Sequence, residues 1–236
     1  MKKRWNKKNA IDHSQNGGRS PLYPNEYLVR FFSSKAFSTI ANNYNLPLLD
    51  LLKNRQAHIL DLGCGFANNL KFFLENNFKC TAMDINKEMV DLAKKSLKKM
   101  NFKKTTVKIG SCEKINAKPK SYDLILCMRA MHYLKGESGV KKFFQEVKRV
   151  LKPNGFCFIQ TIGDKDDLRL NSTRIKKFEY HIKNYNFRTN MKLALFDNFK
   201  HFENTLKQNF AIAEVGKLSE IYPKQKFDHY IGFVQV

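Results

Sequence analysis

Short apolar runs alternate with segments whose apolar positions recur every three or four residues, from about residue 57 to residue 162. That alternation builds parallel β-α-β units. Residues 58–61 predict a strand that runs into glycines, and Asn68 or Asn69 is placed to cap a helix carrying Leu70, Phe73 and Leu74 on one face. Residues 80–84 predict a second strand, and Asn86 opens a helix with Met89, Ala93, Leu97 and Met100 turned inward. Strands at 105–109 and 122–128 follow. A helix lined by Val140, Phe143, Phe144, Val147 and Leu151 then stops at Pro153-Asn154-Gly155, before a fifth strand at 156–162.

Beyond Gly163 the rhythm changes. A polar stretch, 164–190, precedes a predicted helix at 191–208 and two strands, 211–221 and 227–236, that read as a hairpin on a sheet edge. The first 20 residues are polar, basic and glycine-containing, which predicts a mobile tail, while 25–43 predicts a helix with Tyr27, Phe31, Phe32 and Ile40 as its apolar positions. The expected organisation is one domain: a basic tail (1–20), a helical lid (21–45), a ligand-binding core (46–163), an insertion (164–190) and a helix with an edge hairpin (191–236).

Composition adds limits. The 236 residues are 42% hydrophobic, 13% aromatic and 27% charged, which excludes a disordered or collagen-like chain. No stretch has the length of a membrane span and no signal-peptide core follows the first residues, so a cytoplasmic address is expected. Cys64, Cys80, Cys112, Cys127 and Cys157 lack the paired spacing of a zinc site and read as free, mostly buried thiols, with no metal expected. The net charge of +22 would draw any polyanion, although a lysine-rich compositional bias accounts for it equally well.

The candidate chemistry lies in Leu60-Asp61-Leu62-Gly63-Cys64-Gly65. Gly63 and Gly65 let the backbone turn sharply from strand to helix and approach a ligand closely. A dinucleotide turn would want a third glycine where Asn68 stands, and Asp61 would repel a pyrophosphate seated on the helix N-terminus. The acid suits instead a ligand of cationic character. Asp84, at the end of the second predicted strand, has the spacing of a carboxylate that accepts ribose hydroxyls.

With these motifs in register, the chain over residues 55–162 resembles the class I S-adenosylmethionine-dependent methyltransferases. The glycine bend is similar to that family's first motif, with Ala67 at the place of a frequent third glycine. Met83-Asp84-Ile85-Asn86 resembles the ribose-binding motif, and Gly110-Ser111-Cys112-Glu113 the segment beside the adenine, without its usual aspartate. Tyr122 to Met128 resembles the fourth-strand motif and Leu151 to Phe156 the turn before strand five.

The resemblance implies an α/β, three-layer Rossmann-like fold with a seven-stranded mixed sheet whose last strand is antiparallel, and S-adenosylmethionine as cofactor. It assigns cofactor contacts to Asp61, Gly63, Cys64, Gly65, Asp84, Ile85, Met89, Cys112, Glu113, Cys127 and Met128, with Arg30 and Tyr23 of the lid holding and covering the methionine part. No Asn-Pro-Pro-Tyr segment follows strand four, which disfavours a nucleic-acid base amine as acceptor. His132 is the candidate base, because imidazole titrates near neutrality. Tyr27, Arg129, Tyr133, Tyr180, His181 and Arg188 are candidate acceptor contacts. The expected acceptor is a small anionic or sugar-derived molecule methylated on oxygen, of the kind modified in surface-polysaccharide or secondary-metabolite chemistry. The alternatives are an RNA or protein methyltransferase docking through the basic surface, or a noncatalytic cofactor-binding homologue.

Overall fold

The computed structural model describes residues 23–44, 50, 52–185 and 188–236. The expected basic tail lies outside them. Strands β1 (His58–Leu62), β2 (Lys79–Asp84), β3 (Thr106–Ile109), β4 (Tyr122–Met128) and β5 (Leu151–Ile162) are joined by β10 (Gln225–Gln235) and β9 (Ile212–Tyr222) in one sheet of order β3-β2-β1-β4-β5-β10-β9. The first five run parallel, and β10 is antiparallel to both β5 and β9. The strand order reverses beside β1, and ligands of doubly wound sheets bind at the carboxyl ends of the strands at such a point.

Strands buried on both faces explain the near-continuous apolar runs: every residue of β4 is buried. One face is covered by α5 (Gly136–Val150) and α7 (Phe199–Asn209), through Val140, Phe143, Val147, Phe202 and Leu206. The other is covered by α3 (Leu70–Glu75) and α4 (Lys87–Lys99), together with a lid of two helices, α1 (Glu26–Ser33) and α2 (Lys35–Asn43). Phe31, Phe32 and Phe37 of the lid pack around Phe158 and Phe233 with ring centroids 4.9–6.4 Å apart, the separations at which aromatic pairs attract. The lid is therefore seated on the hydrophobic layer.

Three local expectations are corrected. The single helix expected at 25–43 is broken at Ser34, whose extended backbone ends α1 and whose hydroxyl accepts from Phe37 N to start α2. The polar stretch 164–190 is not a featureless insertion. A short turn of helix, α6 (Asp167–Leu170), leads into a three-stranded sheet, β6 (Ser172–Lys176), β7 (Glu179–Ile182) and β8 (Lys192–Leu193), over its own core of Leu168, Tyr180, Ile182, Met191 and Leu193. The helix expected at 191–208 begins only at Phe199, because Met191 to Phe196 are buried in strand β8 and the extended segment after it. Asn198 then caps the helix by accepting from His201 N.

Candidate active site

At the carboxyl end of β1 the chain bends through Gly63 (φ 74°), Gly65 (φ 54°) and Ala67 (φ 59°). Gly63 N and Cys64 N donate to Met83 O at 2.8 and 3.0 Å, which folds the bend onto β2. A Cβ on Gly63 would stand 2.4 Å from Ala130 Cβ, so no side chain fits there. Ala67 holds the left-handed conformation without glycine's freedom, at a cost of roughly 1–2 kcal/mol that its full burial offsets.

Asp84 ends β2 beneath this bend. Its Oδ2 accepts from Gly65 N at 3.1 Å and its Oδ1 from Asn86 N at 3.2 Å, so each oxygen is anchored and keeps lone-pair capacity for a ligand. Burial raises its pKa, and the backbone donors of Asn86 and Gly65 oppose that shift. Asp61 is more extreme. Only 1% exposed, it has no hydrogen-bond partner for either oxygen among the described residues, and burial, with the nearby Asp84 charge, pushes its pKa up to about 7.

These residues open into a cavity of about 800 Å³. Gly63, Cys64, Gly65, Asp84, Ile85, Met89, Cys112, Glu113 and Met128 line it at one end, and Tyr23, Tyr27, Arg129, Tyr133 and Arg188 line the rest. The structure thus brings together most of the residues singled out in the sequence. Glu113 faces the cavity, but its Oε1 already accepts from Lys135 N at 3.1 Å.

Other expected site residues stand elsewhere. Asp61 lies under the bend and is not part of the cavity wall. Cys127 is fully buried beside Cys112 and Cys157, because its position in β4 points it into the core; there the Cys112 thiol, and after it burial, raise its pKa. Arg30 faces outward from α1 and pairs with Glu26 at 2.6 Å, both side chains largely exposed. His132 does not line the cavity: the short 3-10 turn Met131–Tyr133 buries it, and its ring nitrogens have no partner among the described residues. Tyr180 is completely buried in the small sheet, where its hydroxyl meets Asp197 and Arg169, and His181 on the same strand is also away from the cavity. Strand alternation on β7 explains Tyr180, which faces the small core with Ile182.

Sequence reading missed Glu220, which β9 carries to the cavity, where the Tyr27 hydroxyl bonds to it. Burial, and after it the Glu220 contact, pushes the Tyr27 pKa up to about 12. It spans 193 residues, so no local pattern signals it. Of Asn68 and Asn69, the two candidate caps, Asn69 takes the N-cap position of α3 without a capping bond from its side chain; its Oδ1 accepts from Asn25 N at 3.1 Å and ties the start of the lid to the glycine bend.

The matches with known proteins agree with this geometry. Residues 59–155 match a family described as a methyltransferase domain. An uncharacterized methyltransferase of Bacillus subtilis, YcgJ, is 31% identical over 109 residues, which are 46% of this chain and 42% of that protein. A ubiquinone biosynthesis O-methyltransferase of Rickettsia typhi is 28% identical over 109 residues, covering 44% of this chain and 41% of the relative. The chain thus spans less than half the length of the curated relatives it matches. Among solved structures, a SAM-dependent methyltransferase of Methanosarcina mazei superposes with a TM-score of 0.64 at 17% identity, over 80% of this chain and 96% of that one, a likeness of fold. The matched stretch, 59–155, is thus similar to a methyltransferase domain, the family that the resemblance to S-adenosylmethionine-dependent methyltransferases leads one to expect.

The residues present fit the cofactor of that family. Asp84 keeps lone pairs for a diol, and Gly63 and Gly65 present bare backbone to the cavity, which admits close approach. The unpartnered carboxylate of Asp61 beneath the bend favours positive charge nearby.

Proposed function

We propose that this chain transfers a methyl group from S-adenosylmethionine to an oxygen atom of a small anionic acceptor. When bound, the cofactor supplies a methyl group on a positively charged sulfur, already a good leaving group. What remains for the protein is to hold the acceptor in line and exclude water, and positioning of that kind contributes up to roughly 7–11 kcal/mol.

The observation that carries the reading is Arg129. It follows β4 with φ 56°, a left-handed conformation fixed by Arg129 N donating to Gln160 O at 2.8 Å. Solvent in the cavity reaches its side chain. Among the described residues no carboxylate lies within ion-pairing distance of it. Burial and the neighbouring Arg188 lower its pKa from the ordinary value, as expected of a cation awaiting a counter-charge. Arg188 stands beside it and donates from Nε to Tyr133 Oη at 2.9 Å. Two neighbouring guanidiniums on the cavity wall suit a carboxylate or phosphate, which the planar fork of Arg129 can grip with paired donors.

Tyr27 and Glu220 close the chamber from the lid side, a volume suited to a small molecule. The named activity of the ubiquinone-pathway relatives supports oxygen as the atom methylated, and sugar-derived acids of surface or secondary metabolites remain within the class.

The test is calorimetry followed by methyl transfer. S-adenosylhomocysteine should bind the purified chain, and Arg129→Gln should weaken anionic acceptors about tenfold or more while leaving S-adenosylhomocysteine affinity within twofold. Salt-dependent RNA binding that persists at 150 mM, with RNA methylated, would replace this reading by a macromolecular acceptor.

A further inference from the structure

Positive charge is not spread evenly over the chain. Lys and Arg outnumber Asp and Glu by 43 to 21 in the whole sequence. Residues 92–122 hold ten lysines, no arginine and one acid, Glu113, which faces the cavity. At the ratio of the whole chain, ten cations would bring about five acids with them. A general lysine bias therefore does not account for this stretch.

The fold gathers these lysines at one edge of the sheet. Helix α4 buries Met89, Val90, Ala93, Ser96 and Leu97 and turns Lys94, Lys95, Lys98 and Lys99 outward, all four exposed. Lys103 and Lys104 follow in the connection to β3, the last strand on that side of the sheet, which carries Lys108. Beyond β3, Lys114, Lys118 and Lys120 are exposed again. Among the described residues none of the ten stands within ion-pairing distance of a carboxylate. Elsewhere the surface cations have partners: Lys152 meets Asp123, Lys177 meets Glu137, Lys192 meets Glu179 and Arg174 meets Asp197. Edge strands are kept from pairing with other chains by charges on the strand itself, whereas nine of the ten lysines stand on the helix and loops beside it. An uncompensated field of this kind suits an extended anionic partner.

Two features say which one. The stretch offers no exposed aromatic ring, since Phe102 packs against the core that includes Ala93 and Leu97, and Tyr122 is buried. Single-stranded nucleic acid is ordinarily held by bases stacked on such rings, with arginine adding to the contact. Among the lysines stands an aliphatic side chain instead: Ile109, the last residue of β3, is 50% exposed, in a groove lined by Lys108, Lys114 and Lys118. Lysines around an exposed aliphatic group fit an anionic lipid surface, the cations at headgroup level and the apolar group at the acyl boundary.

We propose that the β3 edge, with the outer face of α4 and the segment 114–120, docks the chain on an anionic lipid bilayer. The groove at this edge shares Ile85, Gly110 and Ser111 with the cavity wall, so docking holds the cavity beside the membrane surface. Docking asks nothing of Arg129 or the acceptor, and the two readings stand or fall separately.

Co-sedimentation of the full chain with lipid vesicles tests the docking face. At about 150 mM salt, phosphatidylcholine vesicles containing about 30% phosphatidylglycerol should bind the chain at least about tenfold more tightly than phosphatidylcholine alone, and more salt should weaken that binding. Replacing Lys94, Lys98, Lys99, Lys103 and Lys104 together by Gln should cost at least about tenfold in vesicle binding and leave S-adenosylhomocysteine affinity within about twofold. Ile109→Ser should cost about threefold at unchanged charge, which a diffuse electrostatic attraction would not produce. Absence of vesicle binding, equal binding to neutral and anionic vesicles, or anionic binding that survives the five lysine substitutions overturns the docking face. So does an Ile109→Ser protein that binds as tightly as the unsubstituted chain. Polyuridylate bound more tightly than the anionic vesicles, and released by the same five substitutions, overturns it in favour of RNA.

Discussion

At the β1–β2 end of the cavity, Asp84 is seated on the amides of Gly65 and Asn86, and the glycine bend is tied to Met83 O. Near β5 and β10, behind the cavity wall, His132, Gln160 and His229 are equally buried, and atoms of each have no partner among the described residues. The first end is assembled from residues about 20 apart in sequence that one β-α-β unit brings together. The second draws on β4, β5, β10 and the turn after β4. Asp61 and the side-chain amide of Asn86 are the exceptions on the first side, each buried with no partner among the described residues.

Asp61 gives the largest expected effect. Its carboxyl titrates near the ordinary 3.8 when unfolded and about 7 when folded, so the native state binds the extra proton between those limits. Its contribution to stability therefore falls as pH rises from about 4 to about 7 and is level above that. Asp61→Asn should match the wild type near pH 4 and exceed it by up to about 4 kcal/mol at pH 8, read from denaturant melts of the ligand-free proteins. A difference that stays flat with pH would mean that the carboxylate is already compensated.

Gly63→Ala comes next. The left-handed φ and the 2.4 Å approach to Ala130 Cβ combine to a loss of about 3 kcal/mol in stability, measurable by the same melts. Asp84→Ala should cost about 1.5–3 kcal/mol of S-adenosylhomocysteine binding, roughly 10–100-fold by calorimetry, with little change in the acceptor end. Unchanged affinity would take Asp84 out of the site. The smallest effect is expected at Tyr180→Phe, about 1 kcal/mol of stability from its lost hydroxyl contact with Asp197, with S-adenosylhomocysteine and acid binding untouched. A loss of acid binding there would return Tyr180 to the acceptor chamber.

The legible part of the molecule was the part with short-range structure. The five parallel strands, the amphipathic helices α3 to α5 and the terminal hairpin follow from the periodicity of apolar positions, and the Gly63–Gly65 bend with Asp84 follows from motif spacing. The five thiols are free, with Cys112 the least buried, as their spacing suggests. Among the described residues no helix is long and apolar enough to cross a membrane.

Errors arose where one residue type serves two environments. A buried histidine and a cavity histidine look alike in sequence, so His132 reads as a candidate base although it lies off the cavity; Cys127 and Tyr180 differ from expectation because the face of a strand decides between core and cavity. Arg30 read as a ligand contact, but one helical turn back Glu26 offered it a nearer, solvent-exposed partner.

By itself the sequence determined the parallel sheet, its glycine bend and the paired acids, since backbone conformation, helical period and strand alternation act over a few residues. The tertiary structure decided what fills the other end: Tyr27 against Glu220, Arg129 beside Arg188, and the sharing of one sheet face by Met128, Gln160 and His229. Those contacts join positions up to 193 residues apart, and only closure of the chain by apolar packing brings them within reach of one another.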